Sequence, residues 1–235
     1  MRNDGTHIPA ESETNGNQIY RWFLYLKGHW YTWWNKKRFR EVGSHFYAPG
    51  PIHVVNGKQI KLGDHVFLGQ GCQLYAYPKG NIRIGDYSSI DRFVEIRGGR
   101  MIDIQDHVRI VKGATLKAPE NADLVIGSRS VISQGCILDG GIKVGQDVTF
   151  GPNVFVNDED HGFLDTSIPI NQQEGIVGTT VIEDDVWIAN GVTILKNVTI
   201  GKGSVIGAGA VVNRSVPAYS INVGVPSKSI KSRTN

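Results

Sequence analysis

One short acidic stretch contains the residues best suited to chemistry. Residues 155–175 read FVNDEDHGFLDTSIPINQQEG and place Asp158, Glu159 and Asp160 directly before His161. An imidazole is mostly neutral near pH 7 and can take a proton from a weak nucleophile, while a carboxylate or a backbone carbonyl holds its other nitrogen. We therefore predict His161 as a general base, and Asp158, Glu159, Asp160 or a backbone carbonyl as the group that orients it. A solvated acidic turn is the alternative for the carboxylates.

The chain around this stretch repeats every six residues, a period that neither a helix nor a strand alone produces. Aliphatic or aromatic residues at this spacing fall into seven sets of three. They are Leu62, Leu68, Leu74, Ile84, Ile90, Ile96, Ile104, Ile110, Leu116, Ile126, Ile132, Leu138, Val144, Phe150, Val156, Ile182, Ile188, Ile194, Ile200, Ile206 and Val212. A short strand plus a turn fits one hexad, and three hexads form one triangular coil. The repeat predicts an all-β parallel helix of about seven stacked coils.

The repeat has one long interruption. Val156 and Ile182 are twenty-six positions apart, whereas an uninterrupted step is six. The inserted loop, placed at residues 157–181, contains His161. Long loops on a rigid scaffold are more often functional than decorative, so the interruption supports a site at this loop.

The hexads, the histidine loop and the ending NVGVPSKSI together resemble the hexapeptide-repeat acyltransferases, over residues 52–233. The sugar O-acetyltransferase branch, with galactoside and maltose acetyltransferases, is the most similar, through the DHG loop, VWIANGVTIL, VIGAGAVV and GVPSK. The resemblance implies a left-handed parallel β-helix, which is an exception to the rule that connections between parallel strands are right-handed. It also implies a homotrimer with active sites between subunits. The implied reaction is direct transfer of an acetyl group from acetyl-CoA to a sugar hydroxyl, without a metal. Surface polysaccharide or lipopolysaccharide biosynthesis is the implied setting.

The resemblance also implies roles for individual residues. His161 matches the catalytic histidine, and the amide of Gly191 matches the donor to the oxyanion of the tetrahedral intermediate. Relatives often read WIGA or WIGG where this chain reads WIANG, so the sequence leaves the donor open. The implied cofactor-binding residues are Trp187, Ala189, Gly191, Gly207, Ala208, Arg214 and Lys228, with the basic residues meeting phosphates. Ordinary burial of Trp187 at a subunit contact and a purely conformational role for Gly207 are the alternatives.

An N-terminal appendage precedes the predicted coils. Residues 1–18 are polar, and we expect them to be disordered. Residues 19–51 contain four of the five tryptophans, mixed with lysine and arginine. Two interpretations stay open: a cap over the first coil, which solenoids require, and contact of residues 19–42 with the inner surface of a membrane.

Composition excludes several classes of protein. The net charge of +3 is too small to indicate nucleic-acid binding, and no apolar run approaches the length of a transmembrane helix. The N-terminus lacks the apolar core of a signal peptide. Cys72 and Cys136 occupy the inward position of the hexad that takes a small residue, so we expect both thiols to be buried in the core. Two cysteines do not form a disulfide framework. We therefore expect a cytoplasmic protein, peripheral at the cytoplasmic membrane if its appendage binds lipid.

Two other functions remain as alternatives to O-acetylation. One is N-acetylation of an amino sugar, and the other is a binding scaffold without catalysis. Zinc carbonic anhydrases share the coil but need three histidines, two of them close in sequence. Here the repeat region has only His65, His107 and His161, widely spaced, and the first two read as turn residues.

Overall fold

The hexads fold as short parallel strands that stack along three sides of a triangular coil, which we call faces A, B and C. The computed structural model describes residues 18–234, so the disorder expected for residues 1–18 lies outside the described residues, apart from Gln18. Face A contains Glu41–Val42, Ile60–Leu62, Asn81–Ile84, Met101–Ile104, Asp123–Ile126, Ile142–Val144, Thr180–Ile182 and Thr199–Ile200. Face B contains Phe67–Leu68, Ser89–Ile90, Arg109–Ile110, Val131–Ile132, Thr149–Phe150, Trp187–Ile188, Val205–Ile206, Ser220–Val223 and the antiparallel Lys228–Ser232. Face C contains His53–Val55, Gln73–Tyr75, Glu95–Gly98, Thr115–Ala118, Ile137–Asp139, Phe155–Asn157, Thr193–Ile194 and Val211–Val212.

The remaining elements are few. Helix α1 spans Gln18–Lys36, and two 3-10 helices span Gly57–Gln59 and Ile170–Gln172. An antiparallel pair, Glu159–Asp160 and Ile176–Val177, lies in the inserted loop. None of the helices within residues 18–234 is both long and apolar enough to cross a bilayer.

The coils number eight, with the start of a ninth, and form the left-handed parallel β-helix that the resemblance implied. The sequence predicted about seven, because it missed the first coil. Val42, Ala48 and Val54 continue the step of six, and their strands pair with the next coil at Leu62 and Leu74. Ala48 is fully buried but lacks the long side chain that makes a hexad visible. The first coil therefore begins inside the segment assigned to the appendage.

The core is the column of inward side chains. Every aliphatic or aromatic position predicted from the hexads is at most 3% exposed, as are Cys72 and Cys136. Truncating one such buried aliphatic side chain to alanine typically costs about 2–5 kcal/mol. Each coil is thus fixed by its neighbours, and the corners hold their residues in a rigid frame. His65 and His107 lie at corner turns with φ of 55° and 59°, as the hexads predict.

Helix α1 covers the open edge of the first coil. The hydroxyl of Thr32 accepts the N–H of Ala48 at 3.1 Å, and the Asn35 amide donates to the carbonyl of Gly50 at 3.0 Å. The guanidinium of Arg38 donates to two further carbonyls of the same coil, at 2.8 and 3.2 Å. These backbone groups have no preceding coil to pair with, and a buried unpaired group is costly. The contacts of α1 are therefore those of a cap.

Candidate active site

The predicted site residues lie at two different corners of the coil. Asp158, Asp160, His161 and Arg214 lie where the chain passes from face C to face A, which we call the C–A corner. Ala189, Gly191, Gly207, Ala208 and Lys228 lie where the chain passes from face B to face C, the B–C corner, with Trp187 beside them on face B. Face C separates the corners, because its extended strand Phe155–Asn157 lies between them and holds them at least roughly 10 Å apart. One chain therefore does not bring the predicted base and the predicted oxyanion donor together.

The inserted loop is an ordered hairpin at the C–A corner. Glu159–Asp160 pairs with Ile176–Val177, so the two ends of the loop run side by side. The ammonium of Lys196, on the next coil, lies 3.1 Å from the Asp160 carboxylate and donates to the carbonyl of Ile176 at 3.2 Å. These contacts hold the base of the hairpin against the coil stack. Nothing in the sequence pattern marked Lys196 for this role.

Asp158 holds the start of the loop. It is 2% exposed, and its carboxylate accepts the N–H of Gly141 from the preceding coil. Its carbonyl accepts the N–H of Gly178, at the far end of the loop, at 2.6 Å. Burial raises the pKa of Asp158, and the nearby carboxylates of Glu159 and Asp139 add to this rise, while the Gly141 N–H opposes it. Asp158 thus joins the loop entrance, the loop exit and the coil below.

His161 follows the first strand of the hairpin and is exposed. Within residues 18–234 its side chain makes no hydrogen bond, and Asp158 and Asp160 are bonded elsewhere. The predicted orienting contact is therefore not formed within one chain, because both carboxylates serve the loop. Gly162 is buried, and a Cβ there would lie 2.4 Å from the carbonyl oxygen of Glu174. The DHG sequence needs glycine so that the returning strand can pass close behind His161.

In two successive turns of the B–C corner, the first turn residue has a free amide and the second has a bonded one. The second turn residue donates its N–H to the carbonyl of the first turn residue one coil earlier: Gly191 to Pro152 at 2.9 Å, and Gly209 to Asn190 at 3.0 Å. The first turn residues, Asn190 and Ala208, donate to no acceptor in the part of the chain described. The amide predicted as the oxyanion donor, that of Gly191, is thus already occupied. The adjacent amide of Asn190, by contrast, is free to bind a ligand.

The other predicted cofactor-binding residues are divided between the corners. Trp187 projects from face B between Thr149 and Val205 and is 52% exposed, and Lys228 is exposed beside the B–C corner. Gly207 packs so closely that a Cβ would meet the side chain of Val223 at 2.7 Å. Ala189, half-buried, donates its N–H to the Ile206 carbonyl of the next coil. Arg214 is exposed at the C–A corner, near the histidine loop and away from this set.

Within residues 18–234, no group of three or more His, Cys, Asp or Glu side chains is placed to hold a metal ion. Among the exposed groups at the two corners are an imidazole, free backbone amides and basic side chains. That set can accept a proton, stabilise a developing oxyanion and bind an anion.

Comparison with known proteins identifies the repeat. Residues 179–214 match the family model described as bacterial transferase hexapeptide (six repeats). The resemblance inferred from the hexads is thereby confirmed for these coils. A probable acetyltransferase of Mycobacterium tuberculosis (strain ATCC 25618 / H37Rv), Rv3034c, is 29% identical over 92 residues, which are 39% of this chain and 31% of that protein. The match covers less than a third of that relative's length.

Solved structures with a similar overall form include two transferases. NeuO, a polySia specific acetyltransferase, has a TM-score of 0.49 and 23% identity, covering 83% of this chain and 87% of that one. A mutant of AntD, an N-acyltransferase from Bacillus cereus in complex with dTDP and coenzyme A, has a TM-score of 0.49 and 20% identity, covering 86% and 88%.

Proposed function

We propose that this chain, whose coils carry the bacterial transferase hexapeptide repeat, is an O-acetyltransferase that moves an acetyl group from acetyl-CoA to a saccharide hydroxyl. The observation that carries the proposal is that the chain presents both an exposed histidine, on an ordered loop, and a free amide, that of Asn190, on a rigid corner. General bases and preorganised oxyanion donors are the two groups that acyl transfer needs most. Surface polysaccharide assembly in the cytoplasm is the setting that the resemblance favours.

In the proposed reaction the acceptor hydroxyl attacks the thioester carbon while His161 removes its proton. The new carbon–oxygen bond places negative charge on the former thioester oxygen, which the N–H of Asn190 stabilises. The carbon–sulfur bond then breaks, and the imidazolium of His161 returns its proton to the sulfur of CoA. The acetyl ester and free CoA are the products, and no other reactant is required.

The corner that carries Asn190 also suits the CoA arm. The free amides of Asn190 and Ala208 are one coil apart, about 4.8 Å, so they present successive donors along the corner. Donors at this spacing match a chain that bears a thioester and amide carbonyls. Lys228 lies beside them and is placed to meet a phosphate. Gly207 and Gly209 keep the surface free of bulky side chains.

Because the two corners are separate, we propose that two copies of the chain form each site. His161 of one copy and Asn190 of another would meet if the C–A corner of the first faced the B–C corner of the second. A closed cyclic oligomer, a trimer in our proposal, repeats that heterologous contact around its axis. An acceptor bound in the groove would then be covered by the hairpin of residues 158–179.

Mixing two inactive variants tests this arrangement. His161→Ala removes the base, and Asn190→Pro removes the free N–H while leaving the base. Each variant alone should lose turnover, but a random one-to-one hetero-oligomer should recover about a quarter of the wild-type sites, because each site takes one half from each neighbour. Recovery near this value supports the two-chain site. Absence of recovery, with both variants oligomeric and able to bind CoA, would mean that one chain supplies the whole site.

An assay with different acceptors shows whether the enzyme acetylates a hydroxyl oxygen or an amino nitrogen. A panel should pair neutral sugars with the matching amino sugars at equal concentration. Acetyl ester formation with neutral sugars supports our proposal, whereas exclusive amide formation supports the N-acetyltransferase alternative. If CoA does not bind at millimolar concentration, the scaffold alternative replaces both.

A further inference from the structure

The outer face of α1 is unusually apolar for a cap. Terminal caps of solenoids normally carry a polar outer face, which keeps the open end soluble. Here six large apolar side chains, which we call the aromatic stripe, are 45–67% exposed. The stripe consists of Trp22, Phe23, Leu26, Trp30, Trp33 and Trp34. A surface of this composition indicates a partner beyond the coils.

The stripe and the capping contacts lie on opposite sides of the helix. At 100° per residue, the six side chains fall within an arc of about 120°, over a length of roughly 18 Å. Gly28, Thr32 and Asn35 fall on the opposite side and meet the first coil. Leu24 and Tyr25, 41% and 59% exposed, also lie outside the stripe, one turn before these contacts. The cap and the outer surface therefore do not compete for the same side chains. The helix can be docked on the coils and still present the entire stripe.

The surroundings of the stripe are basic. Lys27, Lys36, Lys37 and Arg40 are exposed, and residues 18–40 contain no aspartate or glutamate. The ammonium of Lys37 lies 3.5 Å from the ring centroid of Trp33, at one end of the stripe. Tryptophan prefers the boundary between water and hydrocarbon, and lysine is attracted to anionic headgroups.

We propose that α1 binds the surface of an anionic lipid bilayer, lying in the headgroup region with the aromatic stripe toward the acyl chains. A second copy of this chain is the competing occupant. Two stripes packed face to face would bring like charges of both copies together, whereas anionic headgroups neutralise them. The first coil then lies next to the membrane surface. The inserted loop lies five coils away from the first coil along the stack, a distance of roughly 24 Å at the strand spacing.

The test is binding of the full chain to vesicles, measured by co-sedimentation. Vesicles of phosphatidylcholine alone are compared with vesicles that contain about a third phosphatidylglycerol, because charge attraction should favour the second. We expect binding to the anionic vesicles, weakened by salt. Trp30→Ser with Trp33→Ser should lower the partition coefficient by at least about tenfold. Lys36→Glu with Lys37→Glu should lower it by a similar factor on anionic vesicles and remove the salt dependence.

Two controls make the result decisive. Phe93→Ser removes an aromatic side chain that is 64% exposed at a coil turn, outside the stripe, and should leave binding unchanged. Thermal melting and sedimentation equilibrium without lipid show whether the tryptophan variant folds and keeps its mass. An unchanged mass with lost vesicle binding supports the membrane proposal. Failure of the wild type to bind anionic vesicles overturns it, and a lower mass of the tryptophan variant would then assign the stripe to a second copy. Neither measurement depends on acetyl transfer.

Discussion

Replacing Asn190 by proline removes one N–H at a position where the coil already accepts proline. In the preceding coil the corresponding first turn residue is Pro152, whose carbonyl accepts a hydrogen bond from the next coil as that of Asn190 does. The N–H of Asn190 has no acceptor among the described residues, so its loss breaks no contact of the folded chain. Proline at a compatible position adds about 0.4–1 kcal/mol of stability through the unfolded state. We expect an unchanged or slightly higher melting temperature.

The effect on turnover should be large. Loss of one oxyanion donor costs about 10²–10³ in kcat, and we expect that loss for Asn190→Pro in an assay of CoA release with a saccharide acceptor. Asn190→Ala keeps the amide and should stay within about threefold of wild type, since only an exposed side chain is removed.

Gln134→Pro is the matched control, because Gln134 occupies the same turn position two coils earlier and its carbonyl accepts the N–H of Asn153 at 3.0 Å. It should leave turnover unchanged, with a melting temperature that is unchanged or slightly higher, as for Asn190→Pro. An Asn190→Pro protein that melts normally and turns over within tenfold of wild type would refute the assignment of the donor.

Three further outcomes follow from the loop and the core. Because the pKa of Asp158 is raised in the folded protein, its negative charge lowers the free energy of unfolding as pH rises from about 4 towards neutrality. The Asp158→Asn variant should therefore melt at or above the wild-type temperature at pH 7.5 and at the wild-type temperature at pH 4. A lower melting temperature of the variant at pH 7.5 would contradict this. Gly162→Ala places a Cβ 2.4 Å from a loop carbonyl and should lower turnover at least tenfold with little change in melting, since a misplacement of about 1 Å can cost 10²-fold; turnover equal to wild type would show that the loop tolerates the shift. Burial raises the pKa of Cys72 to about 12, so neither Cys72 nor Cys136 should react with iodoacetamide at pH 8 in the folded protein, as mass spectrometry can check; rapid labelling would mean that the core opens.

The hexads determine the fold because one long side chain must point inward from every face. That rule located 21 inward positions from Leu62 to Val212, all of which are buried. It did not locate a second buried row on face A, which contains Ile60, Ile82, Ile102, Leu124 and Ile142. It also missed the first coil, where the inward residue Ala48 is small, so that coil was assigned to the appendage. The two interpretations of residues 19–51 stayed open for a related reason. Capping and outward-facing residues are interleaved in sequence and separate only when the helix is placed on the coil.

The candidate site was only partly predictable. The interruption of the repeat located His161, because a long loop is visible as a missing hexad. The partners of Asp158 and Asp160 were not visible, since Gly141 and Lys196 come from other coils. The identity of the free amide was hidden for the same reason: which of Asn190 and Gly191 is bonded depends on how one coil stacks on the next.

The most direct test of His161 as the base is CoA release from acetyl-CoA with a panel of sugars, for wild type and His161→Ala side by side. Both proteins should fold and bind CoA equally, because His161 is exposed and makes no hydrogen bond within residues 18–234. We expect sugar-dependent release by the wild type and a loss of about 10²–10⁴ in kcat for the variant. A variant that keeps turnover within tenfold of wild type, with the same acceptor, would contradict the role of His161 and the proposed mechanism with it.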